Sequence, residues 1–385
     1  MASLPTAIGS LVIGLTIIAI FYNLFSLHAS NLFFNKSPGD HLPPSFQPAT
    51  IMVPLCGIDF DAYENYAALC RQDYPEYQIV FGVLNSEDSS VPTINRIIAN
   101  FPKQDIALVV RPELIGQNFK VSNLQNMLDW VKHDRIVIVD SDIRVREDFL
   151  RSIVPLLNEE KVGLVTCLYR AASAPNMTSA LEAIGITSEF QPSVLVARAI
   201  EGMRFALGAT MAKTRGTLES VGGFAAIADY LADDYMLGHL VWKAGYQIRL
   251  SDYIVETSPG NLKFVPMMKH LIRLARGIQA CRPWGYLGLV VTHGTALASL
   301  NALVSQASWS SLRLLASVLV VRVLVAWRIG VQQLGDNILR KHLWLLPIRD
   351  LLGFGIWCSA LVSRRVEWRG KHFRIIRGGK IVQDA

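Results

Sequence analysis

Charge is scarce in this chain. Asp, Glu, Lys and Arg make up 18% of its 385 residues, where a soluble globular protein carries about 25%. Cysteine is scarcer: Cys56, Cys70, Cys167, Cys281 and Cys358 are scattered, odd in number and without a Cys-x-x-Cys pair. That pattern argues against a disulfide framework or a structural zinc site and suits a reducing compartment. Neither charge sign dominates, since 37 basic residues face 31 acidic ones for a net +6. Such an excess suits contact with anionic lipid or phosphate and is too weak to point to nucleic acid. Apolar residues, by contrast, reach 51%. This excludes a disordered or fibrous chain and argues against a purely water-soluble enzyme.

The apolar residues are concentrated at the two ends. Ala7 to Leu27 carries no charge and is long enough to cross a hydrocarbon core of roughly 30 Å. No Lys or Arg precedes it, so residues 1–30 read as a retained anchor rather than a cleaved signal. The prolines of Ser37–Pro48 predict a stiff linker over 31–48. After Trp284 three more apolar segments follow, at about 285–305, 310–330 and 343–363. Arg322 sits near the middle of the second, where it must face protein, a headgroup or a polar cavity, or snorkel from a tilted helix. Arg349-Asp350 interrupts the third, which reads as a span or as an interfacial or re-entrant helix. The tail over 364–385 is basic, which favours the cytoplasmic side. Three full C-terminal crossings would place it opposite the soluble part, and one non-crossing segment would remove the conflict.

Between 49 and 260 strand and helix patterns alternate. Strands are predicted at 50–55, 77–84, 106–110 and 135–140, with helices at 59–72, 91–101 and 121–132. This alternation predicts an α/β fold with a mostly parallel sheet. Ligands then bind beyond the carboxyl ends of the strands. The polar residues there are Glu87 and Asp88 after the second strand and Asp140 and Asp142 after the fourth.

Four motifs carry chemistry. Asp140-Ser-Asp142 ends a buried strand, and two hard oxygen donors at a sheet edge suit Mg²⁺ or Mn²⁺ on a substrate diphosphate. A turn rich in Asp is the bland alternative. Tyr230 to Gly238 places Asp233 and Asp234 at a helix start, either as capping charges or as the source of a third carboxylate that could act as general base. Lys269, Arg273 and Arg276 share one face of a helix spanning 261–284. They form either a diphosphate clamp, with Arg273 on the phosphate, or a lipid-facing amphipathic surface. Gly116 to Asn123 brings Lys120 to the start of a helix, where it reads as capping or as an anion contact.

In this order the motifs resemble the ceramide glucosyltransferase family over nearly the whole chain. The residues that carry the likeness include Pro54-Leu-Cys-Gly-Ile-Asp59, Asp73-Tyr-Pro-Glu-Tyr77, the acidic pair Glu87-Asp88 and Asn118-Phe-Lys-Val-Ser-Asn-Leu124. Further along they are Asp140-Ser-Asp-Ile-Arg-Val145, Asp233-Asp234-Tyr235 and Trp368-Arg-Gly-Lys-His-Phe-Arg374. The family's (Gln/Arg)-x-x-Arg-Trp reads here His270-Leu-Ile-Arg273-Leu274, without the Trp. Within the family, Cys281-Arg-Pro-Trp-Gly-Tyr286 and Arg204 to Thr210 resemble the bacterial hopanoid-associated branch.

The resemblance implies a GT-A-type catalytic domain over 49–260, an amphipathic interfacial helix over 261–284, and transmembrane or re-entrant helices over 285–363. It implies an inverting, membrane-bound glycosyltransferase using a UDP-sugar and a divalent metal. Glu87 or Asp88 would hold the uridine or ribose, Asp140 and Asp142 the metal, and Lys120 and Arg273 the donor's anionic part. Asp234 would be the catalytic base, with Arg273 stabilising the leaving diphosphate. The implied acceptor is bacteriohopanetetrol receiving N-acetylglucosamine, or alternatively ceramide receiving glucose. The setting would be a bacterial inner membrane with the catalytic domain in the cytoplasm. A processive polysaccharide synthase and an inactive membrane scaffold are the rival readings.

Overall fold

The computed structural model describes residues 4–35, 46–368 and 370–384. Most of the expected proline linker lies outside the described residues. Its first residues do not belong to a linker, because the helix Leu4–Phe34 continues through them. Leu32, Phe33 and Phe34 prolong the apolar run past Leu27, and nothing helix-breaking intervenes.

The chain forms two compact units. One comprises residues 37–173, 201–260 and 379–385. Its main sheet has eight strands, β1 (Ala49–Pro54), β2 (Tyr77–Val83), β3 (Asp105–Val110), β4 (Arg135–Val139), β5 (Ile143–Arg144), β6 (Val162–Ala171), β7 (Thr210–Thr214) and β8 (Gln247–Thr257). They lie in the order β3-β2-β1-β4-β7-β6-β8-β5. The first four pair in parallel, as expected. β7 runs antiparallel to both β4 and β6, while β6 and β8 are parallel. Ile136 to Val139 are fully buried, as an all-apolar strand covered on both faces should be.

The helix Phe119–Met127 docks tightly on this sheet. A Cβ on Gly82 of β2 would lie 2.4 Å from Met127 Sδ, so glycine alone permits that approach. Asn123 Nδ2 donates to the carbonyls of Gly82 (2.7 Å) and Leu55 (3.3 Å), tying the helix to the ends of β2 and β1. The carboxyl ends of β1, β2 and β4 thereby share one rim.

The second unit comprises residues 1–36, 174–200 and 261–378. Residues 174–200 therefore leave the segment expected to be wholly catalytic. The reason is compositional: Ala180, Leu181 and Ile184 present an apolar helix face that packs with Met267, Ala326, Leu339 and Leu346, all in helical segments. Among the described residues three helical stretches are long and apolar enough to cross a membrane: Gly9–Phe34, Trp309–Gln333 and Leu343–Val362. A fourth candidate is the pair Pro283–Thr292 and Gly294–Val304, bent by 62°. Arg322 faces protein: its guanidinium donates to both oxygens of Asp350 at 2.8 and 3.1 Å, with both side chains 7% exposed. Arg349 pairs with Glu189 at 3.0 Å. The basic helix is Phe264–Cys281, held to an antiparallel hairpin of β9 (Arg365–Trp368) and β10 (Lys371–Ile375) by Lys269 and Glu367 at 2.7 Å.

Candidate active site

Around the carboxyl ends of β1, β2 and β4 the α/β unit gathers six aspartates and one lysine. Asp140 and Asp142 follow β4 directly. Lys120, in the first turn of Phe119–Met127, reaches Asp140 at 2.5 Å and Asp233 at 3.8 Å. Asn118 explains why that lysine is placed so firmly. Its side chain caps the helix by accepting from Val121 N–H. Its amide also donates to Tyr230 carbonyl (2.8 Å) and Asp233 (3.3 Å). The capping reading of this loop therefore holds, and the same residues also pin the segment carrying Asp233 and Asp234. Lys120, weak as a sequence signal, is the cation at the centre of the carboxylates.

The electrostatics are lopsided. Burial works to lower the Lys120 pKa, but Asp140, Asp233 and Asp234 outweigh it and hold the ammonium charged. Asp140 is nonetheless pushed up by burial, against Lys120, with Asp233 and Asp59 adding repulsion. Its side chain keeps 32% of its surface exposed, so water tempers that rise. Asp142 is raised to about 7 by burial and by Asp140, although it accepts from Thr257, whose hydroxyl lies at 2.5 Å. Burial thus leaves Asp140 and Asp142 raised even with Lys120 present.

Asp234 begins the helix Asp233–Lys243. Burial and then Asp233 raise it to about 6, opposed by Lys120 and the Tyr235 N–H; that N–H donates to Asp234 at 2.7 Å. A group with such a pKa is largely ionised at neutral pH yet still basic enough to take a proton. A Cβ on Gly208 would meet Asp234 Oδ2 at 2.8 Å, so Gly208 leaves the carboxylate its room.

The other expected residues divide. Asp88 accepts from Gly57 N–H at 2.9 Å and from the Ser90 hydroxyl at 2.7 Å, joining the loops after β1 and β2. Glu87 is exposed at the same turn. Arg273 belongs to the helical unit, where its guanidinium lies 5.7 Å from the Trp368 ring centre and 3.1 Å from His270 Nδ1. An indole thus does pack on this arginine, from the tail rather than from position 274.

Three residues carried no role in the sequence reading. Asp59 accepts from the Ser141 hydroxyl. Thr257 steadies Asp142 from β8. Tyr66 is buried, and its hydroxyl has no hydrogen-bond partner among the described residues. Spacing could not reveal them, because each is brought in from a distant segment.

Asp140 and Asp142 offer two hard carboxylates, and among the described residues no group of three or more His, Cys, Asp or Glu is arranged to hold a metal ion. Two such carboxylates are chemically suited to a hard cation that takes its other ligands from substrate phosphate and water, as Mg²⁺ commonly does.

The chain is similar to known glycosyltransferases along its length. It is 22% identical to ceramide glucosyltransferase 3 of Caenorhabditis elegans over 383 residues, covering 95% of this chain and 79% of the relative. Ceramide glucosyltransferase 1 of the same organism is 22% identical, with coverages of 95% and 78%. A mannosyltransferase from Pyrobaculum calidifontis, solved with GDP-Man and Mn²⁺, superposes with a TM-score of 0.53 at 20% identity, covering 90% of this chain and 98% of that one. That likeness establishes the GT-A-like fold. The profile of glycosyl transferase family 21 matches residues 11–381, and the chain belongs to that family as a glycosyltransferase.

Proposed function

We propose that the protein transfers glucose from UDP-glucose to the primary hydroxyl of a ceramide-type lipid, with inversion at the sugar carbon. The observation that carries this reading is Asp234 beside the lysine-bridged carboxylates, in a chain that is similar over 95% of its length to ceramide glucosyltransferases. The sequence pointed first to bacteriohopanetetrol and N-acetylglucosamine, through residues 204–210 and 281–286. The curated relatives support the ceramide alternative instead.

Asp88, fixed between the loops after β1 and β2, would receive the uridine or ribose, with Glu87 exposed beside it. Asp140 and Asp142 would hold Mg²⁺ or Mn²⁺, which when bound offsets the negative charge of the diphosphate. Lys120 neutralises part of the carboxylate cluster and holds Asp140 in place. Asp234 takes the proton from the acceptor hydroxyl as its oxygen attacks the sugar carbon, and UDP leaves from the opposite face. The proton ends on Asp234, and the diphosphate carries away the bonding pair. Arg273 remains the proposed phosphate contact on its motif alone. The setting is a membrane with the catalytic unit on its cytoplasmic side, in keeping with five cysteines outside any disulfide and the basic tail.

The test is transfer from radiolabelled UDP-glucose or UDP-N-acetylglucosamine to ceramide or bacteriohopanetetrol in detergent-solubilised protein with Mn²⁺. Glucosylceramide as the dominant product supports the reading. Labelled hopanoid with unlabelled ceramide would replace it with the first expectation.

A further inference from the structure

We infer that the chain crosses the bilayer three times, through Gly9–Phe34, the bent pair Pro283–Val304 and Trp309–Gln333. The apolar helix Leu346–Val362 does not cross. It starts near mid-depth and returns to the catalytic side, laying its exposed face against the acyl chains of that leaflet. Length and apolar composition alone suggest the reverse, since Leu343–Val362 passes as a span while the bent pair is ambiguous.

Contacts inside the helical unit set the direction of each helix. The first helix and 309–333 run parallel. Gln333 meets Ser30 and Asn31 at one end, the latter at 2.9 Å. Arg322 and Val325 line one small polar cavity with Tyr22, Asn23 and Ser26. Further down, Gly294 sits between Ala19 and Val318. Two parallel crossings need a crossing in the opposite sense between them. The helix Gly294–Val304, joined to Trp309 by the short turn Ser305–Ser308, is the second half of that return.

The helix 346–362 runs against the bent pair. Thr295 donates to Asp350 at 2.7 Å. His293 packs on Phe354, with centroids 5.6 Å apart. Trp357 Nε1 donates to Tyr286 carbonyl at 2.9 Å. As the bent pair leaves the catalytic side from 286 to 295, its partner therefore climbs back from 350 to 357.

The lengths agree. Asp350 is level with Arg322, which lies 11 residues before Gln333, about 16 Å along the axis at 1.5 Å per residue. From Asp350 to Val362 the helix rises about 18 Å, enough to regain the catalytic side and too little to start a second traverse. Ile348, Leu351 and Val362 are 45%, 48% and 86% exposed, an apolar face suited to lipid.

The end of the chain closes the count independently. Within the α/β unit Leu231 N–H donates to Gly379 carbonyl at 3.2 Å, and Ile381 N–H to Asp229 carbonyl at 2.7 Å. The tail therefore lies on the catalytic side, and an even number of crossings must separate residues 260 and 379. The bent pair and 309–333 supply two; a crossing by 346–362 would make three.

Side-resolved cysteine labelling in sealed vesicles of one orientation tests this. Native Cys56 is exposed on the α/β unit and reports the catalytic side. Gln306→Cys marks the 305–308 turn; Gln306 already has a positive φ of 52°, so the exchange adds little strain. Ser363→Cys marks the end of the last helix. A membrane-impermeant maleimide, read peptide by peptide, should modify positions 56 and 363 from the same face and 306 only from the other. Labelling of 56 and 363 from opposite faces, or of 56 and 306 from the same face, would overturn the inference. Retained transferase activity confirms that both variants fold.

Discussion

Lys213 illustrates how one residue can oppose the stability of its own fold. It lies on β7 with no exposed surface, and its Nζ has no hydrogen-bond partner among the described residues. The Phe224 ring, 5.5 Å away, gives partial recompense. Burial, with repulsion from Lys120, lowers its pKa to about 7. The unfolded chain, with a value near 10.4, therefore binds more protons between those limits. Stability contributed through this group should rise as pH climbs from about 7 to about 10. Lys213→Met should raise stability at pH 7 by a few kcal/mol and flatten that dependence, as read by thermal-inactivation midpoints across pH. A variant less stable at pH 7 with the slope intact would mean that the amine has a favourable role.

At the scale of elements, the buried charges of the helical unit act between helices. Arg322 and Asp350 join the helix 309–326 to 346–362, and Thr295 adds a third helix through Asp350. Removing one partner strands the other charge, at a cost of about 3–5 kcal/mol. Arg322→Leu should therefore lower the thermal midpoint sharply, and Arg322→Leu with Asp350→Leu should recover much of the loss. A double variant as unstable as the sum of the two singles would show that the pair does more than satisfy itself. Gly185 belongs to the same packing, since a Cβ there would lie 2.2 Å from the Arg349 guanidinium.

The elements also show what a sequence can disclose. The strands at 49–54, 77–83, 105–110 and 135–139 were legible because period and composition are local properties, and the buried Ile-Val-Ile-Val run has few other uses. The departure of residues 174–200 was not legible. Its apolar helix face suits a sheet or a helix bundle equally well, and only the partner decides. The candidate site divides in the same way. Asp140, Asp142 and Asp234 were visible at the ends of predicted elements, whereas the Lys120 bridge and the Thr257 contact join residues more than a hundred positions apart or on different loops. Arg322 announced that it needed a partner without revealing that the partner was Asp350.

At the scale of the whole molecule, a GT-A-like sheet collects carboxylates at one rim, while helices toward both ends of the chain are long and apolar enough to cross a membrane. The account rests on Asp234 acting as the base rather than as a donor ligand. Its position at a helix start, on a different segment from the Asp88 turn and from Asp140-Ser-Asp142, allows the two roles to be tested separately. The decisive measurement pairs UDP binding by calorimetry with sugar transfer for Asp234→Asn. Transfer should fall about 10²–10⁴-fold while UDP affinity stays within about threefold of the parent, a shift under 1 kcal/mol. Undiminished transfer, or a loss matched by an equal loss of UDP affinity, would contradict it.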